Sequence, residues 1–171
     1  ALETTVSILP TPKVKTSKAD FDEQQLVLDQ IENTIKNIHE SVTVMRSAKK
    51  QLKTYEELLK ENEIATDLLE KGKGLIKRIE GWEQNLIQPN QKTYQDVINY
   101  NNQLNAQLMH LKGFVDSSDP KVTQGAKQRL ADLLDDWKTY ENEKKAIVNT
   151  EMASYNKMYT DLGLPAIILE E

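Results

Sequence analysis

The sequence predicts an all-α protein, folded as an antiparallel up-down bundle of about four helices in which the first and last are long. Helix breakers are scarce, with 6 Gly and 5 Pro among 171 residues. Charged residues form 29% and hydrophobic residues 38% of the chain, a balance typical of long amphipathic helices. Apolar residues also recur at alternating steps of three and four, which is the spacing of one helix face.

The first 15 residues, ALETTVSILPTPKVK, differ from the rest of the chain. They are rich in strand-forming side chains, and Pro10 and Pro12 prevent a helix. We expect residues 1–15 to form an extended arm or the last strand of a preceding domain, and residues 16–171 to form the helical bundle. The chain begins with Ala1 and shows no signal peptide, which favours a processed product or, as we expect, part of a larger protein.

The first helix is predicted from about Lys18 to about Lys60, on the order of 60 Å at 1.5 Å per residue. Ser17 and Asp20 have the spacing of a capping box at its start. An a/d heptad stripe follows, interrupted at Lys49. Its members are Leu28, Ile31, Ile35, Ile38, Val42, Met45, Leu52 and Leu59.

The second helix follows a turn near Ile64 and is ended by Pro89. Its apolar stripe again has steps of four and three. The members are Leu68, Gly72, Leu75, Ile79, Trp82 and Leu86. Gly72 lies on this stripe, which permits close approach of a neighbouring helix or a local break.

A polar segment, QPNQKTYQDVINYNNQLNAQL (88–108), separates the second helix from the third. We expect Val97 and Ile98 to insert into the core, while amide and hydroxyl side chains satisfy the backbone of the loop. The third helix is predicted from about Asn99 to about Val115, since apolar residues there regain helical spacing.

The fourth helix follows the loop DSSDPKVT and can be capped by either Asp119 or Thr123. It ends at LGLP, because Gly163 suits the position after the helix and Pro165 prevents continuation. The tail AIILEE is expected to pack back on the bundle. Core positions on this helix are Leu130, Leu133, Trp137, Tyr140, Ile147, Tyr155, Met158 and Leu162.

No pattern in the sequence identifies a catalytic, cofactor-binding or metal-binding residue, so we expect none. His39 and His110 lack an HExxH or Glu-x-x-His context and are interpreted as ordinary helix residues. The absence of Cys excludes disulfides and thiolate metal sites. Asp135 and Asp136 are adjacent on a helix and point to different faces, so they form no acid–base pair within one chain.

Three other features have simpler structural interpretations. EKGKGLIKR (70–78) lacks phosphate-loop spacing and is interpreted as helix with a small-residue contact. DSSDP (116–120) lacks the 12-residue calcium frame, and such loops usually turn and cap. Trp82 and Trp137 fall on the apolar stripes, where core packing is favoured over a sugar-stacking platform.

Charge and hydropathy exclude further classes of function. The formal net charge is −5, and both signs are interleaved along the chain. Nucleic-acid binding requires clustered Lys and Arg, and attraction to an anionic membrane requires a similar cluster. No apolar run approaches 18 residues, so no membrane insertion is expected.

Most of the chain resembles a known family. LIQPNQKTYQDVINYNNQLNAQLMHLKGFVDSSDP, followed by GAKQRLADLLDDW, resembles the C-terminal region of large exported bacterial proteins with BNR/Asp-box β-propeller repeats. These sortilin-like proteins are often labelled glycosyl hydrolases. VSILPTPKVKTSKADFDEQ resembles the step from their last strand into the first helix, with Thr11-Pro12-Lys13 in place of Asp-Pro-Arg. YNKMYTDLGLPAI resembles their closing segment.

The resemblance implies a position after the propeller and a small β-domain of an exported parent, either periplasmic, cell-surface or secreted. Any ligand or hydrolase site would lie in the propeller, and no Asp-box motif is present here, so no catalytic residue carries over. We expect a non-catalytic module that stabilises or spaces the parent, dimerises it, or contacts another protein.

Two alternatives stay open. The first is a stand-alone coiled-coil adaptor with no link to glycans, whose solvated surface includes Gln24, Gln25, Asn33 and Asn37. The second is an enzyme that uses acidic side chains between helices, and it would require an activity that depends on Asp96 or Asp116. No cofactor is expected in either case.

Overall fold

The computed structural model describes residues 2–9, 12–13, 15–117 and 120–164, apart from the side chain of Tyr94. Over these ranges the chain is helical and contains no strand, which confirms the predicted all-α class. The helices are α1 (Lys18–Leu59), α2 (Thr66–Leu86), α3 (Leu104–Val115), α4 (Gln124–Ala146) and α5 (Ala153–Asp161). A π-helical turn (Ile147–Met152) joins α4 and α5 into one long last helix. Short 3₁₀ turns span Glu63–Ala65 and Tyr94–Ile98.

Helix α1 begins as the capping box predicts. The Ser17 hydroxyl accepts a hydrogen bond from the Asp20 amide at 3.2 Å, and the Asp20 carboxylate accepts one from the Ser17 amide at 2.8 Å. These bonds satisfy backbone donors that the first turn otherwise leaves unpaired. The helix continues for 42 residues, a length on the order of 60 Å.

Helices α2 and α3 lie one after the other along α1, and both run antiparallel to it. Arg46 of α1 pairs with Glu83 of α2, and Glu32 of α1 pairs with Lys112 of α3 at 2.8 Å. Residue numbers on α2 and α3 therefore rise as those on α1 fall. The polar segment between them joins two helices that share one position in the bundle.

The last helix runs parallel to α1. Lys127 near its start pairs with Glu23 near the start of α1, and the Lys144 ammonium donates to the Ser41 hydroxyl at 2.8 Å. Residue numbers thus rise together on the two helices. The described residues thus form the four helices of the predicted bundle, with α4, the π turn and α5 counted as one long last helix. Because α2 and α3 follow one another along α1, each level of the bundle contains one of these two beside α1 and the last helix.

The core follows the predicted stripes, with a wider buried face on α1. Every stripe position of α2 is buried. On α1, Val27 and Thr34 are buried while Leu28 and Ile35 are only half-buried. Because α1 contacts α2 and α3 on one side and the last helix on the other, its buried surface exceeds a two-position heptad stripe.

Two expectations for the polar segment are wrong. Helix α3 begins at Leu104, five residues later than Asn99. Val97 and Ile98 do not enter the core, since their side chains are 43% and 84% exposed. The 3₁₀ turn that contains them turns them toward solvent, and buried Leu104 provides the first core contact of α3.

The last helix begins and ends with the predicted capping residues. The Thr123 hydroxyl accepts a hydrogen bond from the Ala126 amide at 3.2 Å, so Thr123 serves as N-cap, whereas Asp119 lies outside the described residues. Gly163 follows the helix with φ of 64°, a left-handed conformation that glycine adopts without a steric penalty. Pro165 and the tail (166–171) also lie outside the described residues.

Of the N-terminal arm, residues 2–9, 12–13 and 15 are described, and they form neither helix nor strand. Its apolar side chains, Leu2, Val6, Ile8 and Leu9, are exposed. Pairing of this arm with a preceding domain stays a prediction.

Candidate functional site

The two histidines occupy surface positions on helices. His39 Nε2 lies 3.1 Å from Asn105 Oδ1, which links α1 to α3, and His110 is exposed on α3. Within the described part of the chain, no three His, Asp or Glu side chains are grouped so that they could hold a metal ion. His39 therefore contributes to helix contact.

The other residues considered from the sequence are not brought together. Asp135 and Asp136 are exposed on α4, and Asp116 is exposed just after α3. The segment EKGKGLIKR lies inside α2, as its interpretation as helix predicts. Of DSSDP, residues 118 and 119 lie outside the described ranges.

Both tryptophans are core residues, as their positions on the stripes predict. Trp82 is fully buried and Trp137 nearly so. The indole Nε1 of Trp82 donates to the Tyr140 carbonyl at 2.8 Å. This bond satisfies the polar atom of a buried ring and ties α2 to α4.

Asp96 organises the polar segment. Its Oδ2 atom accepts hydrogen bonds from the amides of Thr93 at 2.7 Å and Lys92 at 2.8 Å. These backbone hydrogen bonds hold the pKa of the Asp96 carboxyl below its ordinary value of 3.8, and the bond from Thr93 has the larger effect. The carboxylate stabilises a surface turn, which accounts for the single acidic residue of this polar segment.

We expect this turn to open on acidification. Because the pKa of Asp96 is lowered by folding, its stabilising contribution is present at neutral pH and is lost as the pH falls through the folded-state pKa. NMR shifts of the Thr93 and Lys92 amides should follow that titration, with a midpoint below 3.8. In an Asp96→Asn variant these shifts should no longer titrate. A midpoint above 3.8 would contradict the assignment.

An ionic cluster around the buried Glu83 joins α1 to α2, and the sequence analysis missed it. Glu83 is only 7% exposed, and its Oε1 atom lies 2.6 Å from Arg46 Nη2. Lys49 Nζ lies 3.5 Å from both Glu83 Oε2 and Glu80 Oε1. The only signal was the neighbouring stripe residue Trp82, which places Glu83 at the edge of the core. Because the carboxylate is held by two cations, the cluster suits helix registration rather than acid–base chemistry.

The π-helical turn and the residues that follow it, up to Asn156, lie beside α1, and we call this segment the π-helical seam. Within it, the buried ring of Tyr155 packs closely on α2, since a Cβ added at Gly72 would lie 3.3 Å from Tyr155 Cε2. Burial raises the pKa of the Tyr155 phenol, so the group is neutral at physiological pH. A cavity of about 260 Å³ lies against this ring, on the side of α1.

The signal for the π turn was present in the sequence. Core positions on the last helix recur every seven residues through Leu133, Tyr140 and Ile147, but the next buried residue is Tyr155, eight residues on. One extra residue in a helix is the feature that a π turn accommodates.

A second, open cavity of about 530 Å³ lies on the α2 side of the π turn. Charged side chains border it: Arg78 lies 3.3 Å from Glu143 and 3.8 Å from Glu151, and Lys71 donates to the Ser154 hydroxyl. Gly74 also lines it, and a Cβ added there would meet nothing within 4 Å. Charged side chains at its border distinguish this groove from the cavity on the side of α1, whose lining residues are all uncharged.

Two glycines of α2 provide a test of the close contact with Tyr155. Gly74→Ala should raise the free energy of unfolding by up to about 1 kcal/mol, because alanine is the better helix former. Gly72→Ala should gain clearly less, since its methyl group must displace the Tyr155 ring. Urea unfolding followed by circular dichroism measures both. Equal gains would show that the contact imposes no constraint.

No helix in the described ranges has the length and apolar character needed to cross a bilayer. No protein-family model matches the chain, and comparison with curated proteins and with solved structures finds no similar protein. The resemblance to BNR-repeat proteins therefore stays a prediction.

Proposed function

We propose that this chain is a non-catalytic helical-bundle module of a larger exported protein that carries BNR β-propeller repeats. Its role is to stabilise or space the parent, or to contact another protein. Its partners would be the propeller and small β-domain of the parent, another protein or a second copy. If the parent is a glycosyl hydrolase, the site lies outside this module. Export is likewise part of the proposal and rests on the sequence resemblance.

The observation that carries the proposal is the continuous core along α1. Buried side chains extend from Val27 near one end to Leu59 near the other. Helix contacts and ion pairs such as Glu32–Lys112 and Arg46–Glu83 accompany this core along its length. A bundle held together over a length on the order of 60 Å is mechanically suited to separate or brace neighbouring domains.

The alternative is a stand-alone coiled-coil adaptor. Exposed apolar side chains on the helices favour it, among them Leu26 on α1 and Phe114 on α3. Such residues fit a protein–protein contact, although they also fit contact with the parent chain.

Light scattering coupled to size-exclusion chromatography, at several concentrations, distinguishes these roles. A spacer module is expected to be monomeric, because its heptad stripes are satisfied within the chain. A concentration-dependent dimer would favour assembly, and the same measurement on a chain lacking residues 1–15 would show whether the arm or the helices form the interface. Glycosidase turnover by this chain alone would overturn the non-catalytic assignment.

A further inference from the structure

We propose that the cavity between α1 and the π-helical seam is a binding site for a small, uncharged, planar aromatic ligand. The cavity has a volume of about 260 Å³. That is several times the share of one water molecule, roughly 30 Å³, and close to the lower end of ligand pockets, roughly 300 Å³. Its lining residues are Ala48, Gln51, Leu52, Tyr55, Met152, Tyr155 and Asn156.

The lining is uncharged, although 29% of the chain is charged. Apolar and aromatic side chains form the inner surface, with Leu52 and Tyr155 buried and Tyr55 and Met152 half-buried. A carboxylate or an ammonium group would enter without a counter-charge, and an unpaired charge removed from water is strongly destabilised. The chemistry of the cavity therefore selects uncharged ligands.

Aromatic and amide side chains define the ligand further. Tyr55 and Tyr155 provide rings for edge or offset contacts with another ring. Tyr159 packs edge-on against Tyr55, with ring centroids 5.2 Å apart, and this contact restrains the Tyr55 ring. Gln51 and Asn156 are exposed at the mouth and offer both a donor and an acceptor. A ring with one polar hydrogen-bonding group matches this arrangement.

The π-helical turn and Gly72 together keep the cavity open. Met152 ends the π turn, and Tyr155 and Asn156 lie in the helical turn that follows it. Because a π turn inserts one residue, it changes the direction in which the next side chains project, and π turns are frequent at functional sites. The absence of a side chain at Gly72 lets the Tyr155 ring lie against α2 instead of occupying the cavity.

The test is an NMR titration of the full chain with indole as the probe. We expect saturable shifts confined to backbone amides near Ala48–Tyr55 and Met152–Asn156. Benzoate and tetramethylammonium, which carry opposite charges, should produce no saturable shift there. Saturable binding of either charged probe with indole-like affinity would overturn the assigned ligand class, and no saturable shift with indole would overturn the site.

Substitutions locate the binding. Ala48→Met places a larger side chain in the cavity, which reduces the space for a ligand and should weaken indole binding at least tenfold. Gln51→Ala changes an exposed side chain at the mouth and should weaken it severalfold without altering the helix. Gly74→Met is the matched control, because it fills the other groove beside the π turn, and it should leave the affinity unchanged. Unchanged affinity in both Ala48→Met and Gln51→Ala would place any indole binding elsewhere and overturn the proposal.

Discussion

Replacing Trp82 with alanine is expected to lower the free energy of unfolding by about 3–5 kcal/mol, the range found for large-to-small changes of buried aromatic residues. The Trp82 side chain is 0% exposed, so the substitution leaves a large void in the core. It also leaves the Tyr140 carbonyl without the indole donor that now lies 2.8 Å away. Both effects loosen the contact between α2 and the last helix.

Chemical unfolding followed by circular dichroism measures this loss. Trp82→Phe should retain most of the buried apolar surface while losing the hydrogen bond, so its effect should be clearly smaller than that of Trp82→Ala. Trp137→Ala is a useful comparison, because Trp137 also lies in the core but is 8% exposed. A change below about 1 kcal/mol for Trp82→Ala, typical of an average substitution, would contradict the packing described for α2.

Replacing Arg46 with methionine is the second change with a large expected effect, a loss of about 2–3 kcal/mol. The substitution keeps much of the apolar stem and removes the guanidinium group that contacts Glu83 Oε1 through Nε at 2.7 Å and Nη2 at 2.6 Å. Glu83 then remains buried, with Lys49 as its remaining cation at 3.5 Å. A buried charge that loses its main partner is more destabilising than the lost contact alone.

Substitution of the other member of the ion pair, Glu83, provides the control. Glu83→Gln removes the buried charge, and the amide oxygen can still accept from Arg46, whose side chain is about half exposed and stays hydrated. We therefore expect Glu83→Gln to destabilise the bundle less than Arg46→Met does. Equal losses, or a larger loss for Glu83→Gln, would mean that the ion pair itself, rather than burial of Glu83, governs the stability of this contact.

The candidate site shows where sequence reasoning reached its limit. Helical spacing correctly places Gly72 and Tyr155 on core faces, and it marks Gly72 as a position of either close approach or a local break. It does not reveal that these two residues meet, or that a neutral cavity lies behind the Tyr155 ring. Those facts depend on which helices become neighbours, and residues 72 and 155 are far apart along the chain.

Glu83 illustrates the same limit for charge. A glutamate beside a stripe residue is usually solvated, and its burial depends on two cations supplied by α1, which follow no local pattern. Val97 and Ile98 show the opposite error, because these apolar residues were expected in the core and are exposed. The hydrogen bonds of Asp96 form a surface turn that exposes them instead.

The sequence by itself determined the helical class, the start and end of the long first helix, the buried stripe of α2 and the caps at Ser17 and Gly163, and it narrowed the N-cap of the last helix to Asp119 or Thr123. These features depend on interactions within a few residues, such as capping hydrogen bonds and the periodic burial of one face. Only the tertiary structure decided that α2 and α3 share one position along α1, that Glu83 is buried, and that a neutral cavity forms beside the π turn. Each of these requires contacts between segments distant in sequence, which local propensity does not specify.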